Sequence, residues 1–491
     1  MISAQRGYLS KEVSIKVDSV TIDFALDLLA KKCSCYFTYN AELINGKNKV
    51  NIDIENLSLE KILDSILIAP ELLFTEYKNQ VVISSKTDSI YSSLLPIDTF
   101  DIIVRGRVRD KQSLKPLPFA SVAMNGAFLG TICNEKGYFS LRIPSHLKVD
   151  TLLISYVGYY TSKIALDSNN NELDVRLLQG VVSIQEVVVR NIDPKFILKN
   201  ALERIEDNFY KKPYNYDAFY REAIKKDNKY SMYTEAVLNG YKPKLHNVSN
   251  TDLVQVKHSR KFSNAKGDDT VAVKVSSGLA SCFQLDIIDD FPEFLKEEGV
   301  NYYDYSMVDI LVWEESLVYC IEFKQKKHIN ESMPEGILYI SINDFAIVGS
   351  EFKFSEEKIK YQSSSFVLRK TRKIRVRPMG SQYLVRYKKH GDKYYLNHVR
   401  GELFINVKQK RKLYSKDYAI LIEMVITNIE KNAIKPKMAK GKRIKINSIF
   451  SESNFIYEYN NWGKNNIIEP EDDIIKAFKA SGLKVYESDE L

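Results

Sequence analysis

Residues 102–190 alternate between apolar and polar side chains with a period of two, and turn residues interrupt the alternation at short intervals. In the opening run, Val104, Gly106 and Val108 are small and apolar, whereas the residues between them are arginines. A period of two places alternate side chains on opposite faces of a strand, so that one face is buried and the other solvated. Turn signals stand at Asn125-Gly126, at 134–137 and at Pro144. The stretch predicts a small antiparallel β-sandwich of about seven short strands.

The motifs of this stretch follow one another in an order that resembles the carboxypeptidase regulatory-like domain. They are G-x-V at Gly106-Arg107-Val108, P-x-x-x-A-x-V from Pro116 to Val122, a G-T…N-x-x-G-x-F hairpin from Gly130 to Phe139, and S-Y-x-G-Y from Ser155 to Tyr159. The run Glu186-Val187-Val188-Val189 corresponds to the family's last strand. The resemblance implies an immunoglobulin-like or transthyretin-like sandwich that binds or spaces and holds no peptidase site. It also implies a protein of the Gram-negative envelope.

Residues 1–86 combine strand and helix patterns in the order strand, helix, two strands, helix, hairpin. The run 13–17 alternates, and helical spacing follows the N-cap candidates at 18–21. A second helix is expected after Ser58. The expected inner helix positions are Ile22, Ala25, Leu26, Leu28 and Leu29, then Leu59, Ile62, Leu63 and Ile66; the further strands are 36–39, 49–54, 72–76 and 81–83.

This order resembles the STN domain, the short N-terminal module of secretins and TonB-dependent transducers. The residues that carry the likeness are the run from Ile52 to Leu63, in which a strand leads directly into a helix, and the closing run from Tyr77 to Ile83. The resemblance implies a periplasmic module that contacts other proteins, among them an inner-membrane regulator. Its contact surface is expected on exposed helix faces or on a sheet edge.

Residues 87–101 follow neither period and are interpreted as a linker. Residues 191–491 predict a β-rich C-terminal domain with a leading helix that starts at Asp193-Pro194 and a C-terminal helix. We expect strands at 216–222, 230–238, 316–323, 336–340, 346–352, 374–377, 383–387, 394–407 and 418–429, a polar loop at 257–269 and a short helix at 291–298. The pattern is similar to a half-barrel of the lipoprotein-carrier type and to a group of Bacteroidota-type envelope proteins with an uncharacterised C-terminal region. The fold class is therefore multidomain and mainly β.

Charge and cysteine content narrow the possible functions. The net charge of +8 is spread over 491 residues, which argues against nucleic acid as a partner. The five cysteines, Cys33, Cys35, Cys133, Cys282 and Cys320, are expected to be mainly buried free thiols, with one bridge possible. No signal peptide and no transmembrane segment is visible in the sequence.

The sequence holds no motif for a catalytic or cofactor-binding site, and no cofactor is expected. His328 and Glu331 spell H-x-x-E, half of a zinc carboxypeptidase signature, and a third ligand would have to be His390 or His398. A solvated loop is the preferred interpretation of His328 and Glu331, so no metal site is predicted. The tyrosines at 210, 214, 216 and 220 are interpreted as core residues rather than a ligand groove. The basic stretches 366–377, 408–412 and 435–445 are interpreted as solvated strand faces rather than as sites for anionic lipid.

We therefore expect a non-enzymatic binding or scaffolding protein of the periplasm or outer-membrane periphery that acts by protein–protein contacts. Its partner would be an envelope protein, such as an outer-membrane or inner-membrane regulatory protein. One alternative is a carrier that holds a lipid or other apolar ligand in the C-terminal domain. Another is a component of TonB-dependent uptake or signalling.

Overall fold

The structure is a computed structural model that describes residues 8–33, 35–39, 44, 48–67, 72–77, 80–85, 102–144, 147, 151–166, 171–180, 193–243, 252–263, 278–355, 358–359, 374–409, 414–431, 443–444, 446, 450, 465–471 and 474–476. The chain divides into two compact units, Met1–Phe100 and Asp101–Leu491. The proposed linker 87–101 lies outside the described residues, as does the expected strand at 186–189.

The described residues of the first unit form five strands and two helices. They are β1 (Glu12–Thr21), α1 (Ile22–Cys33), β2 (Tyr36–Tyr39), β3 (Lys49–Ser58), α2 (Leu59–Ile66), β4 (Leu72–Tyr77) and β5 (Gln80–Ser85). Strands β1 and β3 pair antiparallel, and a second sheet has the order β2-β5-β4. The elements follow the predicted order of strand, helix, two strands, helix and hairpin.

Both helices bury the apolar faces that their spacing predicts, and these faces form the core of the first unit. On α2, Leu59, Ile62 and Leu63 are fully buried. Burying a side chain of this size stabilises a fold by about 1.5–3 kcal/mol. Ser58 occupies the predicted N-cap position, but its side chain makes no capping hydrogen bond. The amides of Leu59 and Glu60 instead donate to backbone carbonyls of the segment before β1.

The second unit begins with the predicted sandwich, whose described residues form seven strands in two sheets. The strands are β6 (Ile102–Asp110), β7 (Ser121–Met124), β8 (Gly130–Ile132), β9 (Tyr138–Ile143), β10 (Thr151–Ser155), β11 (Ser162–Ala165) and β12 (Glu172–Leu177). The sheets have the orders β11-β10-β7-β8 and β12-β6-β9. As the alternation predicts, Val104 and Val108 are fully buried between the sheets.

Two local predictions for the sandwich are wrong. The pair β6–β12 is parallel rather than antiparallel, because the chain crosses over between the sheets before it returns beside β6. The apolar run from Leu117 to Met124 predicts one strand, but the strand begins only at Ser121. Residues Leu117 to Ala120 form a turn in which Phe119 has a φ of 62°.

Eleven strands of the second unit form one sheet whose described pairs are all antiparallel. They are β13 (Tyr214–Lys226), β14 (Lys229–Lys242), β15 (Leu253–Ser263), β16 (Tyr303–Trp313), β17 (Ser316–Gln325), β18 (Pro334–Ser341), β19 (Ile347–Phe354), β20 (Ile374–His390), β21 (Lys393–Gln409), β22 (Ser415–Lys431) and β23 (Arg443–Ile444). Their order is β16-β17-β18-β19-β20-β21-β22-β13-β14-β15-β23. Together with the sandwich, this sheet confirms the predicted mainly β fold class.

Helices cover one face of the large sheet. They are α3 (Pro194–Glu203), α4 (Ile205–Asn208) and α5 (Gly278–Gln284), with short 3-10 turns at Glu293–Leu295 and Gly299–Tyr302. Helix α3 starts as predicted, because the side chain of Asp193 accepts a hydrogen bond from the amide of Lys195 and Pro194 occupies the first turn. Ile197, Ala201 and Ile205 enter the core, whereas Phe196 is 57% exposed. This helix-covered face holds the largest apolar core that the described residues form.

Three predictions for this region are wrong in detail. The two strands expected at 374–377 and 383–387 are one strand, β20, that continues through a bulge between Pro378 and Gly380. Residues 257–263, expected in a polar loop, belong to β15. The short helix expected at 291–298 is a 3-10 turn. Residues 474–476 form a helical turn where the C-terminal helix is expected.

Candidate functional site

A row of buried charges crosses the face of the large sheet opposite to the helices. Five neighbouring strands, β21, β22, β13, β14 and β15, place their charged residues directly opposite one another. In strand order these residues are Arg400, Glu423, Arg221, Glu235 and Arg260. The sign of the charge alternates along the row, and each residue is at most 9% exposed. Residues in opposed register share one face of a sheet, so the row is a single line of alternating charge.

Glu423 is the central anion of this row. Its carboxylate accepts from Nε of Arg221 at 2.6 Å and from Nη1 of Arg400 at 3.3 Å, and it lies 2.8 Å from Nε2 of His398. Burial alone would raise the pKa of Glu423, but the two guanidinium groups outweigh burial and hold the pKa well below its ordinary value. Burial lowers the pKa of His398, so the imidazole is neutral at pH 7. Because an ionised carboxylate only accepts, Nε2 carries the proton and Nδ1 keeps its lone pair.

The sandwich packs onto this row. The ring of Phe119 lies 4.5 Å from Cζ of Arg400 and 5.8 Å from the ring of His398. The carboxylate of Glu135 accepts from Nη2 of Arg400 at 2.7 Å. Ile132 joins a buried apolar cluster with side chains of three strands of the sheet. The sandwich and the sheet are therefore joined by a buried interface of both apolar and ionic contacts.

A C-terminal segment, residues 465–471, lies in the same interface. The carbonyl of Ile467 accepts from Oγ1 of Thr131 at 2.9 Å. The side-chain amide of Asn466 accepts from the backbone amide of Arg142 at 2.7 Å and donates to the carbonyl of Arg142 at 3.1 Å. Asn466 thereby satisfies backbone groups of β9, which is the edge strand of its sheet among the described strands. Ile468 of the same segment packs in the apolar cluster shared by Ile132 of the sandwich and three strands of the sheet. The segment therefore contacts both the sandwich and the large sheet.

An open cleft of about 460 Å³ lies beside the interface, on the same face of the sheet. The apolar part of its lining includes Phe119, Ile337 and Leu384. Four carboxylates line it, Glu322, Glu335, Glu351 and Glu402, together with the cations Lys324, Lys353 and Arg400. The row of opposed residues continues from Arg400 through Leu384, Glu351 and Ile337 to Glu322. The floor of the cleft is thus the solvent-open continuation of the buried row.

A second, more enclosed pocket of about 70 Å³ lies between the sandwich and the sheet. It shares Phe119, Glu351 and Leu384 with the open cleft. Its other charged lining residues are Glu314, Arg386 and Lys388, and the neutral imidazole of His398 also lines it. Arg386 is already satisfied, because it pairs with Glu351 and its guanidinium lies 5.0 Å from the ring of Trp313. We call this cavity the inner pocket.

Phe119 stands between the two cavities in a strained backbone conformation. A φ of 62° lies in the left-handed region, where a bulky residue is a rare exception. Strain of this kind costs on the order of 1–3 kcal/mol and persists only where the surrounding contacts enforce it. The contacts that enforce it here are those of the Phe119 ring with Arg400 and His398.

A second buried charge cluster lies at the helix-covered face. Nζ of Lys242 donates to Asp286 at 2.8 Å and to Asp289 at 3.1 Å. The hydroxyl of Tyr387 donates to the other oxygen of Asp286 at 2.8 Å. Near this cluster, the hydroxyl of Tyr216 donates to Asp252, whose pKa is raised to about 6 by burial.

The H-x-x-E residues lie apart from these features. His328 and Glu331 are exposed in the loop between β17 and β18. His390 packs against the rings of Phe128 and Tyr395, and His398 belongs to the buried row. Among the residues that the structure describes, no group of three or more His, Cys, Asp or Glu is placed to hold a metal ion.

The remaining candidates from the sequence lie in the core or at the surface. Tyr214, Tyr216 and Tyr220 are buried in the main core, as the preferred interpretation has it. Arg375 and Arg377 of the first basic stretch are exposed, and most of the other basic positions lie outside the described residues. All five cysteines are buried free thiols. No helix in the described part of the chain is long and apolar enough to cross a membrane.

The sequence analysis did not predict the row of buried charges or the two cavities. One signal was present: Arg221 and Glu222 stand within the otherwise apolar run 218–224, and a charge there must be paired if it is buried. Glu423, the counter-charge of Arg221, lies about two hundred residues away along the chain. Pairing at that distance depends on the order of the strands, which the sequence does not display.

One segment of the chain matches a known family. Residues 104–189 match the family model of the CarboxypepD_reg-like domain. The match confirms the resemblance predicted for this stretch. A search of curated proteins finds no match to the chain.

Two solved structures are similar to part of the chain. One is a DUF1329 family protein from Desulfovibrio piger ATCC 29098, with 14% identity, coverage of 50% of this chain and 96% of that chain, and a TM-score of 0.22. The other is lipovitellin, in a structure of its lipid–protein interactions, with 8% identity, coverage of 48% of this chain and 27% of that chain, and a TM-score of 0.23. Scores this low support no argument about function.

Proposed function

We propose that this chain is a non-enzymatic binding protein of the cell envelope, and that it holds an extended segment of a partner protein in the open cleft. The observation that carries the proposal is the lining of the cleft, where carboxylates and cations stand on adjacent strands on either side of Ile337 and Leu384. A volume of about 460 Å³ is in the usual range for a ligand site.

The lining favours a peptide over other ligands. Four carboxylates repel the phosphates of a nucleic acid, and they would lose their hydration against an apolar lipid tail. An extended peptide presents hydrogen-bonding groups and side chains of both signs at regular intervals, which suits a floor made of strands about 4.8 Å apart. Phe119, Ile337 and Leu384 offer apolar contact area for its uncharged side chains.

The carrier alternative would need space on the helix-covered face of the large sheet. The described residues of that face pack around α3, α4 and α5 as one apolar core. This packing is the reason that we place the ligand in the cleft rather than under the helices.

The cellular setting is also part of the proposal. The CarboxypepD_reg-like segment and the resemblance of residues 1–86 to the STN domain support the periplasm or the outer-membrane periphery. An envelope protein is then the expected partner, and a component of TonB-dependent uptake or signalling is one form that such a partner takes.

The test uses the cross-strand pair Glu335 and Lys353 in the cleft lining. The full chain would be panned against a display library of random linear peptides, and the affinity of selected peptides measured by fluorescence anisotropy. We expect Lys353→Glu and Glu335→Lys each to weaken binding by about tenfold or more, since loss of a charge contact of about 1.4 kcal/mol changes affinity tenfold.

Two further variants serve as controls. The double variant that exchanges both charges keeps the cross-strand pair and reports on folding. Lys327→Glu changes an exposed lysine outside the cleft lining and should leave affinity unchanged. If no peptide is selected, or if all four variants bind the selected peptides equally well, the proposal is wrong.

A further inference from the structure

We infer that the inner pocket is a binding site for a small zwitterion, an α-amino acid with a small side chain. The inference does not depend on the open cleft or on its ligand. It rests on two opposite charges, Lys388 and Glu314, that line the same pocket.

These two side chains face the pocket without a direct ionic contact. Nζ of Lys388 lies 5.4 Å from the ring centroid of Phe128, and among the described residues it has no hydrogen-bond acceptor. Glu314 likewise has no hydrogen-bond donor within the described part of the chain. The other cation and carboxylate of the pocket, Arg386 and Glu351, form an ion pair with each other. The pocket therefore offers one ammonium and one carboxylate that each lack a direct partner.

The ionisation of both groups agrees with this arrangement. Burial lowers the pKa of Lys388 to about 8, and the carboxylate of Glu314 only partly offsets that effect. Burial raises the pKa of Glu314. A ligand that carries a carboxylate and an ammonium would place a counter-charge directly against each group, which their mutual attraction compensates only in part. A ligand with a single charge would leave one of them uncompensated.

The backbone holds Glu314 at the pocket in an unusual conformation. Glu314 is in the turn between β16 and β17 with a φ of 52°, in the left-handed region that favours glycine. Trp313 and Ser316 pair across this two-residue turn, whose geometry demands the positive φ and fixes the backbone of Glu314 beside the pocket. Lys388 belongs to β20 and pairs with Tyr395 of the neighbouring strand β21.

The size of the pocket limits the ligand. A cavity of about 70 Å³ has room for roughly five water-sized groups, since one water needs about 10–15 Å³ on this measure. Glycine, alanine and serine are of this size. The walls include apolar side chains, among them Ile132, Val157 and Leu384, which suit a methyl group, and the hydroxyl-bearing Ser121 and Ser155.

The first measurement uses the wild-type full chain and calorimetric titration with alanine, glycine, leucine, acetate and methylammonium. We expect saturable binding of alanine and glycine, and binding at least tenfold weaker for leucine, acetate and methylammonium. If acetate binds as tightly as alanine, the ligand is a simple anion and the inference is wrong. If neither alanine nor glycine binds, the inference is likewise overturned.

The second measurement uses neighbouring residues of the same types as controls. Lys388→Met and Glu314→Gln should each weaken alanine binding at least tenfold. Lys389→Met and Glu315→Gln should not, because Lys389 pairs with Asp344 and Glu315 with Lys163, outside the pocket lining. Equal effects of the two pairs of variants would contradict the assignment. The ligand series on the wild-type protein decides the question if a variant fails to fold.

The result separates this inference from the proposed function. Lys353→Glu lies outside the inner pocket and should leave alanine binding unchanged. Alanine binding that persists while the cleft variants lose their peptides supports both sites independently.

Discussion

Nε of Arg221 donates to Oε2 of Glu423 across 2.6 Å, and neither side chain is more than 1% exposed. The pair stands at the centre of a row of alternating charges that five strands place in register. Each buried ion in such a row is compensated by its neighbours, so removal of one member takes a buried counter-charge from the residues beside it. The row therefore links the integrity of the large sheet to the sandwich that covers it.

The first prediction concerns the removal of one charge from the row. Glu423→Gln leaves Arg221 and Arg400 without their shared carboxylate in a buried site. We expect a loss of about 3–5 kcal/mol in the free energy of unfolding, as for other broken buried pairs. Urea denaturation would measure it. Glu430→Gln changes an exposed residue of the same strand and should alter stability by no more than about 0.5 kcal/mol. If both variants lose a similar free energy of unfolding, the row of buried charges makes no specific contribution to stability.

The second prediction concerns pH and Asp252. Burial raises its folded-state pKa to about 6, whereas an unfolded aspartate titrates near 3.9. The folded state then binds the proton more tightly than the unfolded state. Stability from this group is fully present below pH of about 4 and is lost as the pH rises to about 6.

Asp252→Asn should abolish this loss, because asparagine has no charge to bury and its Oδ1 can still accept from Tyr216. Above pH of about 6, the variant should be more stable than the wild type by about 1–3 kcal/mol. Urea denaturation across the pH range would show the two curves diverge between about pH 4 and 6. The exposed Asp304→Asn is the matched control and should follow the wild type. Parallel curves for Asp252→Asn and wild type would refute the assignment.

The third prediction concerns the backbone at Phe119. Glycine is usually about 0.5–1 kcal/mol worse than alanine in regular structure. At a φ of 62° the order should reverse, because an alanine in the left-handed region costs about 1–2 kcal/mol. Both Phe119→Gly and Phe119→Ala lose the ring contacts, so their difference isolates the backbone. Thermal and urea denaturation should rank the glycine variant above the alanine variant. The opposite rank would show that the turn relaxes once the ring is gone.

The fourth prediction concerns Asn466, which satisfies the backbone of Arg142. Asn466→Asp keeps the acceptor but replaces the donor with a carboxylate oxygen that faces the carbonyl of Arg142. We expect a loss of about 1–3 kcal/mol. Hydrogen exchange at the amide of Arg142 should accelerate by about tenfold or more, because a loss of about 1.4 kcal/mol makes local opening tenfold more frequent. Asn330→Asp, at an exposed loop position, is the control. Unchanged exchange at Arg142 would mean that the segment 465–471 does not hold β9.

Local periodicity accounts for the elements that were predicted well. The alternation in Val104 to Val108 and the helical spacing from Leu59 to Ile66 are properties of neighbouring residues, and burial in the structure follows them. The resemblance of residues 102–190 to the regulatory-like domain also follows from local motifs and is confirmed for 104–189. The STN resemblance and the boundaries of the domains stay predictions.

The errors fall where contacts between distant residues override local preference. Phe119 was expected in a strand because Leu117 to Met124 reads as an apolar run, but its ring is held by Arg400 and His398, more than 270 residues further along the chain. Residues 257–263 were expected in a loop because they are polar. They pair with β14, and Arg260 finds its counter-charge in Glu235.

The sequence by itself determined the mainly β composition, the sandwich and the amphipathic helices, because these depend on which side chains repeat at a period of two or 3.6. Only the tertiary structure decided that five charges share one line, that Lys388 and Glu314 line one pocket, and that the cleft floor continues the row. Those relationships depend on strand order and register across hundreds of residues. Shifting one strand by a single residue would move its charges to the opposite face of the sheet.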